Sequence, residues 1–456
     1  MMRYVVVLLT MLILPSFGAL AQPDVDVCFS EGYMTPRLVG GMYARVIANQ
    51  PLLAYADPAI GAPVVGQVEP GALLSINSAP RCVDGLVWWQ SDFRPVTGPD
   101  DFPAGWFIEG QNGQYFLEPY LQSVNLPANR QTITPENLAQ VQQVGQVEYG
   151  LVSGLRWSPD GTRLAINTVG AVWVHDMQGG PGVRLNPNRV DTNQTDTIVF
   201  GDGVIALGGS SSNDENAAGL FSRWSDTGEQ LAEHVVVVTD FGRATAITPD
   251  LGTLATFRWD GTIDLWDATT GAPLFQLQGH TVPGALSFSP DGRYLISSGG
   301  GGMMESDPTV RIWETATWQQ IVQLEGGLFV QPLAYHDNLM AMPNNQDTSD
   351  GIAKISLIDM STGIERIAIS LGRERMVVGA DFSADGRWLY VLDAPFANDG
   401  TSTLRIIDTA SGAVLAERML DFNARRMAVS GDDLIAIVYE DPDFWGPDRV
   451  IFWALV

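Results

Sequence analysis

Lysine is nearly absent from this chain of 456 residues. Lys354 is the only one, and arginine supplies the rest of the 25 basic residues set against 52 acidic ones, for a net charge of -27. Phosphate recognition needs clustered lysine or arginine, and no such cluster stands in the sequence, so nucleic acid and anionic lipid are not expected partners. A basic protein, a cation or a cell-wall component suits the charge balance. So does the plainer reading in which acidity only keeps a surface soluble. Histidine is scarce too, with His175, His234, His280 and His336 scattered singly. Neither a His-Glu-x-x-His helix nor a Gly-x-Ser-x-Gly elbow is present, so no catalytic residue and no cofactor are expected. Long apolar runs are missing as well. Val5 to Leu14 is the longest, short of the ~20 residues a membrane span requires.

That apolar run follows the positive head Met1 to Arg3 and precedes Ala19-Leu20-Ala21, an order that reads as a secretory signal peptide over residues 1–21. Export to a periplasmic, cell-surface or secreted location is therefore expected, and with no cysteine at the cleavage point a lipid anchor is not. Cys28 and Cys82 are the only cysteines. In an oxidising compartment they form one disulfide, which the chain-entropy estimate values at roughly 4 kcal/mol. Two buried free thiols are the alternative. No metal site is expected from two cysteines alone.

Residues 122–137 are polar with Pro127 and Pro135 and mark a linker. Upstream, over 22–121, short apolar runs alternate with glycine and proline turns, the pattern of a small all-β unit. Pro70-Gly71 and Asp84-Gly85 stand where tight turns need positive φ. The order of Ala44-Arg45-Val46, Asp57-Pro58, Gly71, Asp84-Gly85, Trp88, Gly105-Trp106, Glu109 and "YFLEPY" resembles a bacterial SH3-like domain over about residues 38–121. The resemblance implies a β-barrel that docks onto cell-wall peptides or protein segments. Ser91 to Pro103 departs from its pattern as an insertion. Trp88, Trp89 and Trp106 either fill the small core or line a groove.

Downstream the chain repeats. Turns centred on Asp160, Asp202, Asp250, Asp291, Asp337, Asp385 and Asp432 are 42, 48, 41, 46, 48 and 47 residues apart, the period of four-stranded propeller blades. The seventh unit lacks a strand, and "LAQVQQVGQVE" at 138–148 has no partner in the first, so this segment is expected to close the ring as the outer strand of the last blade. Two units carry a fuller phrase: "FRWDGTIDLWD" at 257–267, and Gly279-His280 followed by "SPDGRYLISS" and "DPTVRIWE". They resemble WD-repeat proteins, and the resemblance covers about 138–456. It implies an all-β architecture, a seven-bladed β-propeller preceded by the SH3-like barrel. It also implies an internal hydrogen-bond set on His280, Ser297, Asp307 and Trp313, and in part on Thr256, Asp260 and Trp266. His175, Ile358 and Ile407 occupy the tryptophan position elsewhere, so those blades are expected to lack polar bracing.

The run "GGGGMMES" that interrupts the fourth unit is followed by a strand, not by a helix N-terminus, so it is an insertion and no phosphate loop. Comparable insertions join second to third strands in other units, and alternation of strand direction brings them to one face. Candidate binding residues there are Asp214, Glu215, Glu305, Asp347, Asp350, Asp399, Glu440, Asp441 and Asp443, with Phe396, Phe444 and Trp445 as apolar anchors. They form either a protein-binding rim or solvated insertions. A calcium site is a third reading, although no loop carries the spaced oxygens it needs. The expected function is an exported, monomeric, non-enzymatic binding or scaffold protein. The alternative is an extracellular propeller hydrolase or lyase acting on a glycan or peptide.

Overall fold

The computed structural model describes residues 33–34, 36–38, 42–76, 80–92, 104–120, 122–149, 152–168, 171–185, 193–211, 218–237, 241–301, 306–325, 333–344, 352–395, 401–431, 433–439 and 448–456. Seven four-stranded antiparallel sheets account for the chain from Gln142 onward. We call them blades 1 to 7 and their strands a to d in hydrogen-bonded order. The a strands are Val152–Trp157, Asn193–Phe200, Phe241–Ile247, Pro283–Phe288, Ala334–His336, Arg375–Phe382 and Ala424–Ser430. Strands a lie against one another in five of the seven seams, those of blades 2 and 3, 3 and 4, 5 and 6, 6 and 7, and 7 and 1, which puts them around the axis.

A local reason for the repeat is visible in the turns between strands a and b. Ser158 Oγ and the backbone N–H of Thr162 both donate to Asp160 Oδ1, at 2.5 and 3.1 Å, and Ser158 Oγ in turn accepts from the N–H of Arg163 at 2.9 Å. Thr248 with Asp250, Ser289 with Asp291 and Ser383 with Asp385 repeat the device. A short acceptor side chain here satisfies backbone donors that the turn leaves without ladder partners.

Each blade packs on the next through its own apolar layer. Val172, Leu185, Ile205 and Trp224 join blades 1 and 2, and Phe221, Ile247 and Leu254 join blades 2 and 3. Phe257, Leu265, Leu286 and Trp313 lie between blades 3 and 4, and Ile296, Ile312, Met340 and Ile358 between blades 4 and 5. Leu357, Ile369, Val391 and Ile407 fill the seam of blades 5 and 6, and Tyr390, Ile406, Ile435 and Ile451 that of blades 6 and 7. Leu164, Trp173, Ala436 and Phe452 complete the circle.

Closure is made in blade 7, whose order is Gln142–Tyr149, Asp448–Ala454, Leu434–Tyr439, Ala424–Ser430. The strand from before blade 1 is its outer member, with Gln142 opposite Ala454 and Tyr149 opposite Asp448. It begins later than the pattern of 138–148 implies, because Leu138–Gln140 forms a 3-10 turn. Leu138 and Val141 are buried in the seam of blades 6 and 7, each worth about 1.5–3 kcal/mol. Arg418 Nη1 donates to the carbonyls of Leu138 and Ala139 at 3.1 and 3.3 Å, which holds those residues out of the ladder.

The N-terminal part forms a five-stranded sheet ordered Val64–Val68, Leu52–Tyr55, Ala104–Ile108, Leu86–Asp92, Arg81–Val83. A three-stranded sheet ordered Leu117–Pro119, Tyr43–Val46, Leu73–Ser75 accompanies it. Asp84, Gly85 and Gly71 adopt φ of 55°, 76° and 86°, as tight turns require. Trp88 and Trp89 are buried at 0% and 1% exposure, so they belong to the interior and line no groove. The Trp88 indole N–H donates to Val83 O at 3.3 Å, and that of Trp89 to Glu109 Oε2 at 2.8 Å. Trp106 is half-buried, opposite Tyr55 in the register. Glu109 Oε1 also accepts from the backbone N–H groups of Arg37 and Leu38, fastening the segment before the first strand. Cys82 is disulfide-bonded, while Cys28 lies outside the described residues.

Residues 122–137 run along the propeller. Gln122 exchanges hydrogen bonds with the backbone of Glu148, Gln131 N–H donates to Leu455 O at 2.9 Å, and the Tyr390 hydroxyl donates to Ile133 O at 2.9 Å. Met42 and Val124 share a core with Val147 and Tyr149 of blade 7 and Trp173 of blade 1, and the Tyr43 hydroxyl donates to Tyr149 O at 3.4 Å. Among the described residues no helix is long and apolar enough to cross a membrane.

Candidate binding face

Blade 4 shows how the loop face is built. His280, just before strand a, contacts Ser297 on strand b (Tyr294–Gly299) through Nε2 at 2.8 Å, and Asp307 before strand c (Thr309–Glu314) through Nδ1 at 3.1 Å. The indole N–H of Trp313 donates to the same Ser297 Oγ at 2.9 Å. One consistent proton arrangement runs through all four: Trp313 N–H to Ser297, Ser297 O–H to His280 Nε2, His280 Nδ1–H to Asp307. Burial lowers the His280 pKa by more than the Asp307 carboxylate raises it, so the ring is neutral. Burial works to raise Asp307. Hydrogen bonds from Thr309 and the Thr281 backbone, with His280 beside it, nevertheless hold the carboxyl below its ordinary value.

The glycine run before Asp307 now has a physical role. A Cβ on Gly299 would stand 2.2 Å from Asp307 O, so only hydrogen fits where strand b meets the residue that braces His280. A Gly301–Ser306 bridge closes the base of the insertion. Removing the central hydroxyl is the direct test of the set. Ser297→Ala leaves the buried indole N–H and imidazole nitrogen without partners and is expected to cost about 2 kcal/mol, read as a lower urea midpoint at unchanged slope. A loss below about 0.5 kcal/mol would show that the set carries no stability.

Blade 3 holds a partial version. Trp266 Nε1 donates to Thr256 Oγ1 at 2.9 Å, while Asp260 serves the turn itself by accepting from the N–H of Thr262 at 2.9 Å. Beside them Asp264 accepts from Arg258 Nε at 2.6 Å and from Gln276 at 2.7 Å.

The expectation that blades without the tryptophan lack polar bracing needs correcting in two of them. In blade 1, His175 is fully buried and its Nε2 meets the hydroxyl of Tyr149 on the closing strand of blade 7. In blade 6, where Ile407 pairs with Leu389, the fully buried Asp393 farther along strand b lies between Arg375 of strand a and Arg405 of strand c. Arg405 Nε reaches Glu417 of strand d at 3.0 Å, and Arg375 Nη2 also donates to Thr403 Oγ1 at 3.0 Å. A charged ladder across four strands thus replaces the neutral set. A tryptophan or a serine can be absent when another donor and acceptor satisfy the same buried strand ends.

The candidate residues Asp214, Glu215, Glu305, Asp347, Asp350, Phe396, Asp399, Glu440, Asp441, Asp443, Phe444 and Trp445 all lie outside the described residues. What the structure adds on that face is Trp259. It occupies the short turn between strands b and c of blade 3 and is 56% exposed, next in sequence to Arg258, whose Nε meets Asp264 of strand c. In the sequence it stands inside the repeat phrase "FRWDGTIDLWD", which marks the fold and singles out no binding residue. The available signal was that an indole in so short a connection has no core to enter.

His336 is half-buried. Its ring lies 5.8 Å from that of Phe382, and a Cβ on Gly386 would come within 2.2 Å of it, so it packs on the turn of blade 6. Among the described residues no group of three or more histidine, cysteine, aspartate or glutamate side chains could hold a metal ion.

Residues 271–314 match the family model described as "WD domain, G-beta repeat". WD repeat-containing protein 1 of Gallus gallus is 28% identical over 178 residues, 36% of this chain and 26% of that protein. Meiotic fizzy-related protein 1 of Schizosaccharomyces pombe is 25% identical over 244 residues, 52% of this chain and 53% of that protein. Nuclear distribution protein PAC1 of Arthroderma benhamiae is 44% identical over 62 residues, 13% of this chain and 12% of that protein. The matched stretches therefore span no more than about half the length of these relatives. Among solved structures, the Neurospora crassa Pan2 WD40 domain superposes with a TM-score of 0.52 at 13% identity, covering 69% of this chain and 95% of that one, a likeness of fold. With seven sheets closed into a ring, the repeat match and the shared fold support a WD-repeat β-propeller.

Proposed function

We propose that the protein is an exported binding or scaffold protein in which the propeller offers its loop face to a macromolecular partner and the N-terminal sheets act as an SH3-like docking module. WD-repeat propellers typically serve as scaffolds or protein-interaction modules and generally work without catalysis. The observation that carries the reading is Trp259, a large apolar side chain exposed to solvent in the turn between strands b and c of blade 3, where the partly buried Arg258–Asp264 ion pair joins the two strands. Aromatic anchors of this kind dominate binding energy at protein interfaces. The disulfide at Cys82 supports export, since such bonds persist in oxidising compartments. Two N-terminal sheets with turns at Gly71 and Asp84-Gly85 support the SH3-like reading.

The test immobilises the full chain and compares cell-surface proteins captured by wild type, by Trp259→Ala, and by a variant with the five long connections trimmed to tight turns. Trp259→Ala is expected to weaken capture of the partner about tenfold, and trimming to abolish it. Equal capture by all three would overturn the proposal.

A further inference from the structure

Charge reverses sign at the axis of the propeller. The chain carries 52 acidic residues against 25 basic ones, yet the seven inner strands hold Arg156, Arg243, Arg375, Arg425 and Arg426 against only Asp196 and Asp381. Arg375 is engaged by Asp393. Asp381 turns its two oxygens to the backbone N–H groups of Phe382 and Val429, at 3.1 and 3.0 Å.

Arg156 and Arg426 are different. Both keep solvent exposure on an inner strand, and among the described residues neither forms a salt bridge with a carboxylate. Arg426 is held by backbone only: Nε donates to Ser153 O of blade 1 at 3.2 Å, and Nη1 to Arg425 O at 3.3 Å. Burial lowers its pKa, and the neighbouring charge of Arg425 lowers it further. Two like charges side by side favour a counter-charge. On the other side of the axis, the Tyr335 hydroxyl of blade 5 donates to Ser287 Oγ of blade 4 at 2.8 Å, which leaves the serine proton free to donate onward. Burial raises the Tyr335 pKa, and the positive charge of Arg156 in blade 1 opposes that rise. Blades 1 and 5 share no seam, and the inner strands of both border the axis.

We propose that the axis of the ring is a binding site for anionic oxygen, in which Arg156 and Arg426, on the adjoining inner strands of blades 1 and 7, supply the positive charge and the Ser287–Tyr335 hydroxyl pair, on the inner strands of blades 4 and 5, supplies a further donor. The ligand chemistry is a small oxyanion or a carboxylate, which guanidinium N–H groups recognise through charge-assisted hydrogen bonds. Its source is a free ion, or a carboxylate carried to the axis on a partner's side chain or chain end. The site is independent of the loop-face reading, because it uses inner-strand residues and none of the rim.

The experiment titrates the full chain at low ionic strength, in parallel, with inorganic phosphate and with glutarate, read by isothermal titration calorimetry and by the rise of the thermal unfolding midpoint. Saturable binding of at least one probe is expected, and Arg156→Gln and Arg426→Gln are each expected to weaken it about tenfold or more. Arg156→Lys keeps the charge and should retain most of the binding. Arg293→Gln, with a side chain 65% exposed, should leave it unchanged. Phosphate binding points to the free ion, and binding of glutarate alone to a carried carboxylate. Absence of saturable binding of either probe up to about 50 mM, or an equal loss in Arg293→Gln, would overturn the proposal. The unfolding midpoints of the variants without ligand show whether each is folded, and Arg156→Lys keeps the test decisive if a glutamine variant is not.

Discussion

Asp393→Ala should lower the unfolding free energy by about 3–5 kcal/mol, the cost of breaking a buried charge cluster from one side. The reason is local. Asp393 has no solvent exposure, and its two carboxylate oxygens each meet one arginine, Arg375 from strand a and Arg405 from strand c. Burial already lowers the pKa of both arginines. Without the carboxylate, Arg375 retains only neutral acceptors such as Thr403, and Arg405 retains Glu417 at the outer edge. Two cations would then share a layer built for one anion between them. Replacing the cluster together, as Asp393→Leu with Arg375→Met and Arg405→Met, should recover most of the loss, because well-packed apolar groups of similar volume substitute for buried ion clusters at little cost. Urea unfolding of the single and triple variants measures both effects. A single variant within 1 kcal/mol of wild type would show that the ladder is not what holds blade 6.

Acidification should weaken the protein between pH 6.5 and about 4 through His175. Burial lowers the folded-state pKa of this histidine from 6.5 to about 4, and its Nδ1 has no hydrogen-bond partner. An unfolded chain takes up a proton below pH 6.5 that the folded chain refuses until about pH 4. Stability is therefore full above 6.5 and falls as pH drops through that window, by about 3 kcal/mol for a shift of this size. His280, also lowered by burial, acts in the same direction. Carboxylates held below their ordinary value act in a separate, lower window. Asp359, kept at about 2 chiefly by the hydrogen bond from Ser361, loses its contribution only as pH falls below 3.8. The measurement is the pH dependence of the unfolding midpoint in wild type and in His175→Leu. The variant should be flatter between pH 6.5 and 4, and parallel curves would remove His175 from the account.

What the sequence revealed follows from where its signals are local. The aspartate turns repeat because each is a self-contained hydrogen-bond unit within five residues, Ser158 to Arg163 being the pattern, so a one-dimensional reading finds them. The period and the unpartnered segment ahead of blade 1 made the seven sheets and the closing strand legible. The His280 set could be placed because a family phrase spans it. Nothing comparable marks the ladder of Arg375, Asp393, Arg405 and Glu417, one residue from each of four strands, assembled only by the register. The Tyr149–His175 contact joins the first strand of the ring to blade 1, a pairing that depends on closure itself. The arginines of the inner strands are similarly dispersed over blades 1, 3, 6 and 7, and only Arg425 and Arg426 stand next to each other in the sequence. The acidic connections were readable as insertions by length, yet length alone assigns no partner.

The pairing of Gln142–Tyr149 with Asp448–Ala454 has a consequence for biogenesis. A polypeptide emerging from the ribosome can complete blades 1 to 6 in order, but the closing strand, made before blade 1, must wait, unmated, until its neighbour appears some 299 to 312 residues later. Until then an edge rich in backbone donors and acceptors stays open to other chains. Such a protein becomes safe from misassociation only once Asp448–Ala454 has been made, and a nonsense change between blades 6 and 7 would leave the six earlier blades in an unsealed crescent.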